Sequence, residues 1–308
     1  MLSFIMKKYL FILIISFLPT MLWAQDAQTV AERNAAQGFN DTIDRLAPNF
    51  VTVSLCVADP TTRFQDRTGL LGHAFLRLQC HTFGLDYCFS YESEPVEGNW
   101  MDFLTGELKM GFFAIPTEEY VEDYRKWERA VHEHRINMPP TAKLKLWEQM
   151  DTHMMLEQDM PKDLIKFGCT STLLKYVEEA LNPDTIDYGV LPTKFYDLSI
   201  MEIASQHLEN LPWDYLLMRI TLWRKLEKIT NPKQKIVFPM DLVEVWSQAK
   251  INGGPLLTYV GDLVEAEPIV VKKPWFTPQV CGILLLVLII GGAFVIICKR
   301  KTKKSNVK

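Results

Sequence analysis

Residues 280–298 carry no charged side chain and are rich in Leu, Ile and Val. As a helix rising about 1.5 Å per residue, such a run reaches across a hydrocarbon core of roughly 30 Å. Lys299-Arg300-Lys301-Thr302-Lys303-Lys304 follows at once, a stop-transfer tail that the positive-inside rule places in the cytoplasm. Trp275 and Phe276 precede the run, where an outer interface would lie. At the other end of the chain Lys7 and Lys8 lead into an apolar stretch and then Leu22-Trp23-Ala24 before Gln25, the pattern of a secretory signal. The expected order is a signal (1–24), a polar extension (25–48), one outward-facing domain (49–265), a proline-containing linker (266–279), a transmembrane helix (280–298) and a basic tail (299–308).

Setting both ends aside changes the charge. The chain has 33 basic and 37 acidic residues. The signal takes Lys7 and Lys8 and the tail takes six more basic residues, so 25 basic residues face 37 acidic ones over 25–298, about −12 with His neutral. Such a domain excludes the basic face that nucleic acid requires. It is also ill suited to hugging an anionic membrane surface.

Six cysteines are present, and Cys281 and Cys298 belong to the apolar run. The other four, Cys56, Cys80, Cys88 and Cys169, form no CxxC and no zinc-type spacing with histidine. No metal or other cofactor is expected. In an oxidising compartment Cys80 and Cys88 are placed to bridge a hairpin across the turn-like Thr82-Phe83-Gly84-Leu85-Asp86. A Cys56–Cys169 bridge is the rival, and spacing leaves the pairing open.

Along the domain, residues 49–57 form a β-rich stretch that Ala58-Asp59-Pro60 ends. In His73-Ala74-Phe75-Leu76-Arg77-Leu78 a period of two puts His73, Phe75 and Arg77 on one face and the aliphatics on the other. Residues 86–92 are expected as the next strand, 100–108 as a short helix and 110–115 as a strand. Thr117-Glu118-Glu119-Tyr120 has the composition of a helix start with Thr117 as cap, for a helix expected to reach about residue 134. Helices are expected from Pro139-Pro140-Thr141, over 166–181, 196–206 and 213–230, and from Phe238-Pro239. Asn252-Gly253-Gly254-Pro255 is a turn and 256–260 a closing strand.

Phe167-Gly168-Cys169-Thr170-Ser171-Thr172 opens the 166–181 helix with one cysteine in its first turn. Unpaired N–H groups and the positive end of the helix dipole favour thiolate there, and small neighbours leave room for a substrate. The alternative is a buried cysteine that fills space. His73, exposed on its strand face, supplies a candidate base upstream. Arg77 is a candidate clamp for a substrate carboxylate, with an ion pair as the competing role. Gly168 and Thr170 flank the thiol as candidate substrate contacts, and the Cys169 N–H is a candidate oxyanion donor.

The order of Val53-Ser54-Leu55-Cys56, Gly72-His73-Ala74-Phe75-Leu76-Arg77-Leu78, Phe89-Ser90-Tyr91, residues 100–108, Gly168-Cys169-Thr170-Ser171, Leu211-Pro212-Trp213 and Phe238-Pro239 resembles the Lnb-type N-terminal periplasmic domain of bacteria. That family is similar to circularly permuted papain-like hydrolases of the NlpC type and to lecithin–retinol-type acyltransferases, in which a strand histidine precedes the helix cysteine. The resemblance implies an α+β, circularly permuted papain-like domain, a small antiparallel sheet packed against helices, with one C-terminal transmembrane helix. It implies Cys169 as nucleophile and His73 as base. Of His81, Glu92 and Glu94 as the group that orients the imidazole, His81 is favoured, because lecithin–retinol-type relatives use a second histidine. The chain departs from the family pattern at Gly168, where the family has Asn, and at Thr221-Leu222-Trp223 and Glu227, where it has a glycine and an aspartate.

The expected function is a thiol hydrolase or acyltransferase anchored in the bacterial inner membrane, with its domain in the periplasm. It would act on an amide or ester of the cell envelope, a peptidoglycan peptide or a lipid acyl group. The other class is a non-catalytic module that binds an envelope partner on the same scaffold, and it tolerates a bridged or buried Cys169.

Overall fold

Apolar residues at every second position of two neighbouring strands set the frame. In the computed structural model, which describes residues 51–61, 69–80, 84–93, 110–155, 168–267 and 271–305, β1 (Val51–Ala58) and β2 (His73–Cys80) pair antiparallel with Val51 opposite Cys80 and Ala58 opposite His73. Val53, Leu55, Ala74, Leu76 and Leu78 turn to one face, and Cys56 and Phe75 to the other. Both faces are buried. β3 (Leu85–Ser93), β4 (Met110–Pro116), β5 (Val131–Ile136) and β8 (Leu257–Val264) complete a six-stranded antiparallel sheet of order β4-β3-β2-β1-β5-β8. Asn252 and Gly253, both at positive φ, turn the small hairpin of β6 (Lys250–Ile251) and β7 (Gly254–Pro255).

Helices cover the two faces unequally. α1 (Thr117–Lys126) lies on one face, with Tyr120, Val121 and Tyr124 packed around Phe75 and Cys56. The other face carries α2 (Pro140–Met155), α3 (Cys169–Leu181) and α7 (Pro239–Gln248), whose Leu146, Leu173, Val177 and Trp246 join the strand aliphatics in the main core. α4 (Lys194–Asp197), α5 (Ile200–His207) and α6 (Pro212–Leu226) extend that layer. α8 (Pro278–Ser305) follows the linker. The molecule is therefore α+β, an antiparallel sheet packed with helices, as expected.

Four expectations are corrected. The helix from Thr117 ends at Lys126, where Glu128 turns the chain at φ +47, and residues 131–136 form the strand β5 instead. Val131 and Ile136, five residues apart, face opposite sides of the sheet, and Glu133 is buried between them. Thr117 does not cap this helix; its hydroxyl donates to Asp86 Oδ1 at 2.5 Å. The helix expected over 196–206 is divided between α4 and α5, and Ser199 and Glu202 form a capping box at the second start. Cys80 and Cys88 are free thiols that cannot bridge, because the register sets Cys80 opposite Leu85 and Cys88 opposite Arg77. An offset of three residues puts the two sulfurs on opposite faces.

Arg77 is likewise committed to the fold. Its Nε and Nη2 bond the two oxygens of Asp86 at 2.8 and 2.5 Å, and Nη1 bonds Glu133 Oε2 at 2.8 Å. The side chain is 14 % exposed, so of its two candidate roles Arg77 fills the ion pair and not the substrate clamp. The signal, the polar extension, the 100–108 helix and His81 lie outside the described residues. Among the residues described with their side chains, which in α8 run to Phe294, no helix is long and apolar enough to cross a membrane. The apolar sequence itself continues through Val295-Ile296-Ile297-Cys298.

The Arg77 network generates a stability test. Arg77→Met removes the only cation bonded to buried Glu133 among the described residues, and should cost on the order of 3 kcal/mol in urea unfolding. Adding Glu133→Gln should recover part of that loss, since no unpaired charge then stays buried.

Candidate active site

Gly72 delivers the histidine. It sits at φ +85, its N–H bonds Gly69 O at 3.0 Å, and a Cβ there would press on Ala58 O at 3.0 Å. Only glycine enters this left-handed turn without strain, and His73 emerges as the first residue of β2. The cysteine is delivered from the other layer. Gly168 is the extended N-cap of α3 and Cys169 its first helical residue. Buried Leu173, Val177, Ala180 and Leu181 hold the helix on the sheet, so the position of the thiol is set by core packing.

The two side chains meet. His73 and Cys169 lie close enough for each to set the other's charge, and the Ala74 N–H bears on the sulfur as well. Thr170 Oγ1 lies 3.9 Å from Cys169 Sγ. Thr170 is fully buried, so its hydroxyl serves the sulfur rather than the substrate expected for it. Gly168 is half-buried beside the thiol.

Behind the imidazole is a relay that sequence reading only glimpsed. His73 Nε2 lies 2.7 Å from Ser90 Oγ and 3.5 Å from Glu92 Oε1. Ser90 Oγ donates to Glu92 Oε1 at 2.5 Å, and the Tyr120 hydroxyl donates to the same oxygen. With its one proton given to Glu92, Ser90 accepts from His73 Nε2–H, which leaves Nδ1 for the sulfur. The direct partner of the imidazole is thus Ser90, backed by Glu92. Continuing the β2–β3 register toward the start of β2 sets His73 opposite Glu92, which was the available signal. A Cys80–Cys88 pairing, one of the two left open, hides it by shifting the hairpin three residues. Ser90 and Tyr120 carried no signal of their own.

Electrostatics follow from these contacts. Burial alone would push the His73 imidazole down, but the charge and hydrogen bond of Cys169, together with Glu92, hold it up at about 10. Burial alone would push the Cys169 thiol up, yet the charge and bond of His73, the Ala74 N–H and Thr170 bring it below the ordinary thiol range. Glu92, despite burial, is drawn down to about 2 by His73, Ser90 and Tyr120. Both shifts favour the thiolate–imidazolium form of the pair, at a helix N-terminus that favours negative charge. Cys56 and Cys88 are opposite in character, since burial pushes both thiols up, Cys88 to about 12.

Among the described residues no group of His, Cys, Asp and Glu is arranged to hold a metal ion. No protein-family model, curated protein or solved structure matches the chain.

The signs of the shifts define a titration. Thiolate at Cys169 is present above its lowered value, and the imidazolium beside it persists until pH rises through about 10. Alkylation of Cys169 by iodoacetamide, followed by peptide mass spectrometry, should already be rapid at neutral pH, where Cys56 and Cys88 stay unmodified. Glu92→Gln removes support for the imidazolium, so the acid limb of the Cys169 profile should move to higher pH. A wild-type limb at the ordinary thiol value would contradict the ion pair.

Proposed function

We propose that this protein is a cysteine-dependent acyl-transfer enzyme of the cell envelope, a thiol hydrolase or acyltransferase acting on an amide or ester. The observation that carries the proposal is the pairing of Cys169, at the start of α3, with His73, at the start of β2, whose two groups shift in opposite directions toward thiolate and imidazolium. A non-catalytic module would tolerate a bridged thiol, and Cys169 is free and partly accessible.

The chemistry follows from the geometry. The Cys169 thiolate attacks the carbonyl carbon, forming a C–S bond and pushing the π electrons onto oxygen. That oxyanion gathers at the start of α3, where the Cys169 N–H and the helix dipole oppose its charge. As the tetrahedral adduct collapses, the C–N or C–O bond breaks and the His73 imidazolium gives its proton to the leaving amine or alcohol. A thioester remains on Cys169. Neutral His73 then takes a proton from the second nucleophile, which attacks the thioester and releases the thiolate. Water in that role makes the enzyme a hydrolase, and an amine or hydroxyl makes it an acyltransferase. Ser90 and Glu92 fix the ring orientation through both steps and balance the imidazolium charge.

The order of a strand histidine before a helix cysteine supports the resemblance to a circularly permuted papain-like domain of the Lnb type. The apolar run over 280–298 and its basic tail support an anchor in the inner membrane, with the domain in the periplasm. Tethering of that kind raises the concentration of enzyme near peptidoglycan peptides and lipid acyl groups, the two substrate classes this reading holds.

Two variants test the proposal. Cys169→Ala should abolish labelling of the full chain by an electrophilic acyl probe, and equal labelling of the variant would refute the assignment. Ser90→Ala should keep the thiol labelled while lowering turnover on the order of tenfold to a hundredfold, since the imidazole loses its orienting partner. Turnover is read as release of a chromogenic alcohol from an ester.

A further inference from the structure

α6 is apolar on two sides. Tyr215, Met218 and Leu222 pack against the main core and Leu226 is buried in it. Trp213, Leu217 and Ile220, spaced four and three residues apart, form a second stripe that is 42 %, 42 % and 72 % exposed. Helices resting on a core ordinarily carry polar residues on their outer face. A large exposed apolar stripe marks a surface that something covers.

Its covering is indicated by what the stripe is tied to. Trp213 Nε1 donates to Phe276 O at 2.8 Å, and the two rings lie 6.1 Å apart. Phe276 stands two residues before α8, the apolar helix, and Trp275 beside it is 85 % exposed. Lys272 and Lys273, also exposed, precede this aromatic pair. The Trp213–Phe276 contact joins the stripe and the aromatic pair to the head of α8, whose Ile283, Leu284 and Val287 are exposed in turn. Aromatic residues flanked by lysine at the head of an apolar helix suit the headgroup layer of a bilayer.

We infer that the outer stripe of α6, with Trp275 and Phe276, is a membrane-docking face that lies in the interfacial layer of the bilayer in which α8 is anchored. The inference rests on the anchoring proposed above and goes beyond it. A tether alone leaves the domain free to swing, whereas docking through α6 fixes which side of the domain faces the lipid. The domain is acidic, so the contact is apolar and does not need anionic lipid.

The test uses the full chain in phosphatidylcholine vesicles with either ordinary or acyl-brominated chains, read by tryptophan fluorescence. Bromine should quench part of the emission. Trp213→Phe and Trp275→Phe should each remove a share of the quenched fraction, and Leu217→Glu with Ile220→Glu should reduce quenching of Trp213 while the protein still floats with the vesicles. Quenching should persist in high salt. Flotation without quenching of Trp213 overturns the docking face and leaves the anchor intact, whereas failure to float overturns the anchor. Emission of Trp213 that is protected but unquenched, in a chain that cross-links to a second copy, assigns the stripe to a dimer and also overturns the inference.

Discussion

How β2 pairs with β3 decides what lies behind the histidine. With Cys80 opposite Leu85 and Arg77 opposite Cys88, the side chains beside His73 are those of Ser90 and Glu92, both able to bond an imidazole. A slip of one residue would turn the opposite face of β3 toward the ring, where Phe89 and Tyr91 stand. A slip of three would restore the cysteine pairing and remove the carboxylate. The register is held by apolar burial on one face and by the Asp86–Arg77–Glu133 ion pairs on the other.

The sulfur and the imidazole come from different layers. Cys169 packs with the main core, whereas the alternation of β2 places His73 with Phe75 on the face that α1 covers. Side chains from opposite faces are separated by the sheet everywhere along a strand except near its end. His73 is the first residue of β2 and Cys169 the first residue of α3, so the meeting occurs at the one place where both layers are open to each other. Helix packing fixes one partner and the Gly72 turn the other, and neither needs the active-site contact to hold its position.

Much of this was legible in the chain. β-rich composition in β1 and period-two alternation in β2 located the two strands within two residues of their bounds, and the alternation gave the face of His73 and Arg77, because that face carries the polar residues of β2 while the other is wholly apolar. The Cys169 helix was legible from its small-residue start and its stop at Asn182-Pro183. The boundary between α1 and β5 was not, since Val131 falls at a helical interval from Tyr120, Tyr124 and Trp127 as well as on a strand face. Only the turn at Glu128, at positive φ without a glycine, separates the two readings. The relay behind His73 was hidden because it depends on pairing between strands, which a hairpin of uncertain loop length does not reveal. Arg77 was read correctly as a charge on the active face, but its partners Asp86 and Glu133 lie on different strands and had to be seen in space.

Contacts from Ser90, Tyr120 and His73 converge on a single oxygen of Glu92, Oε1, on a side chain that is 37 % exposed. Glu92 is the most exposed member of this chain of groups, since Ser90 and Tyr120 are buried. Protons exchanged with bulk water enter this chain of groups at its carboxylate terminus, on the side of the ring away from the sulfur. One imidazole thus joins the nucleophile on one side to a carboxylate in contact with bulk water on the other.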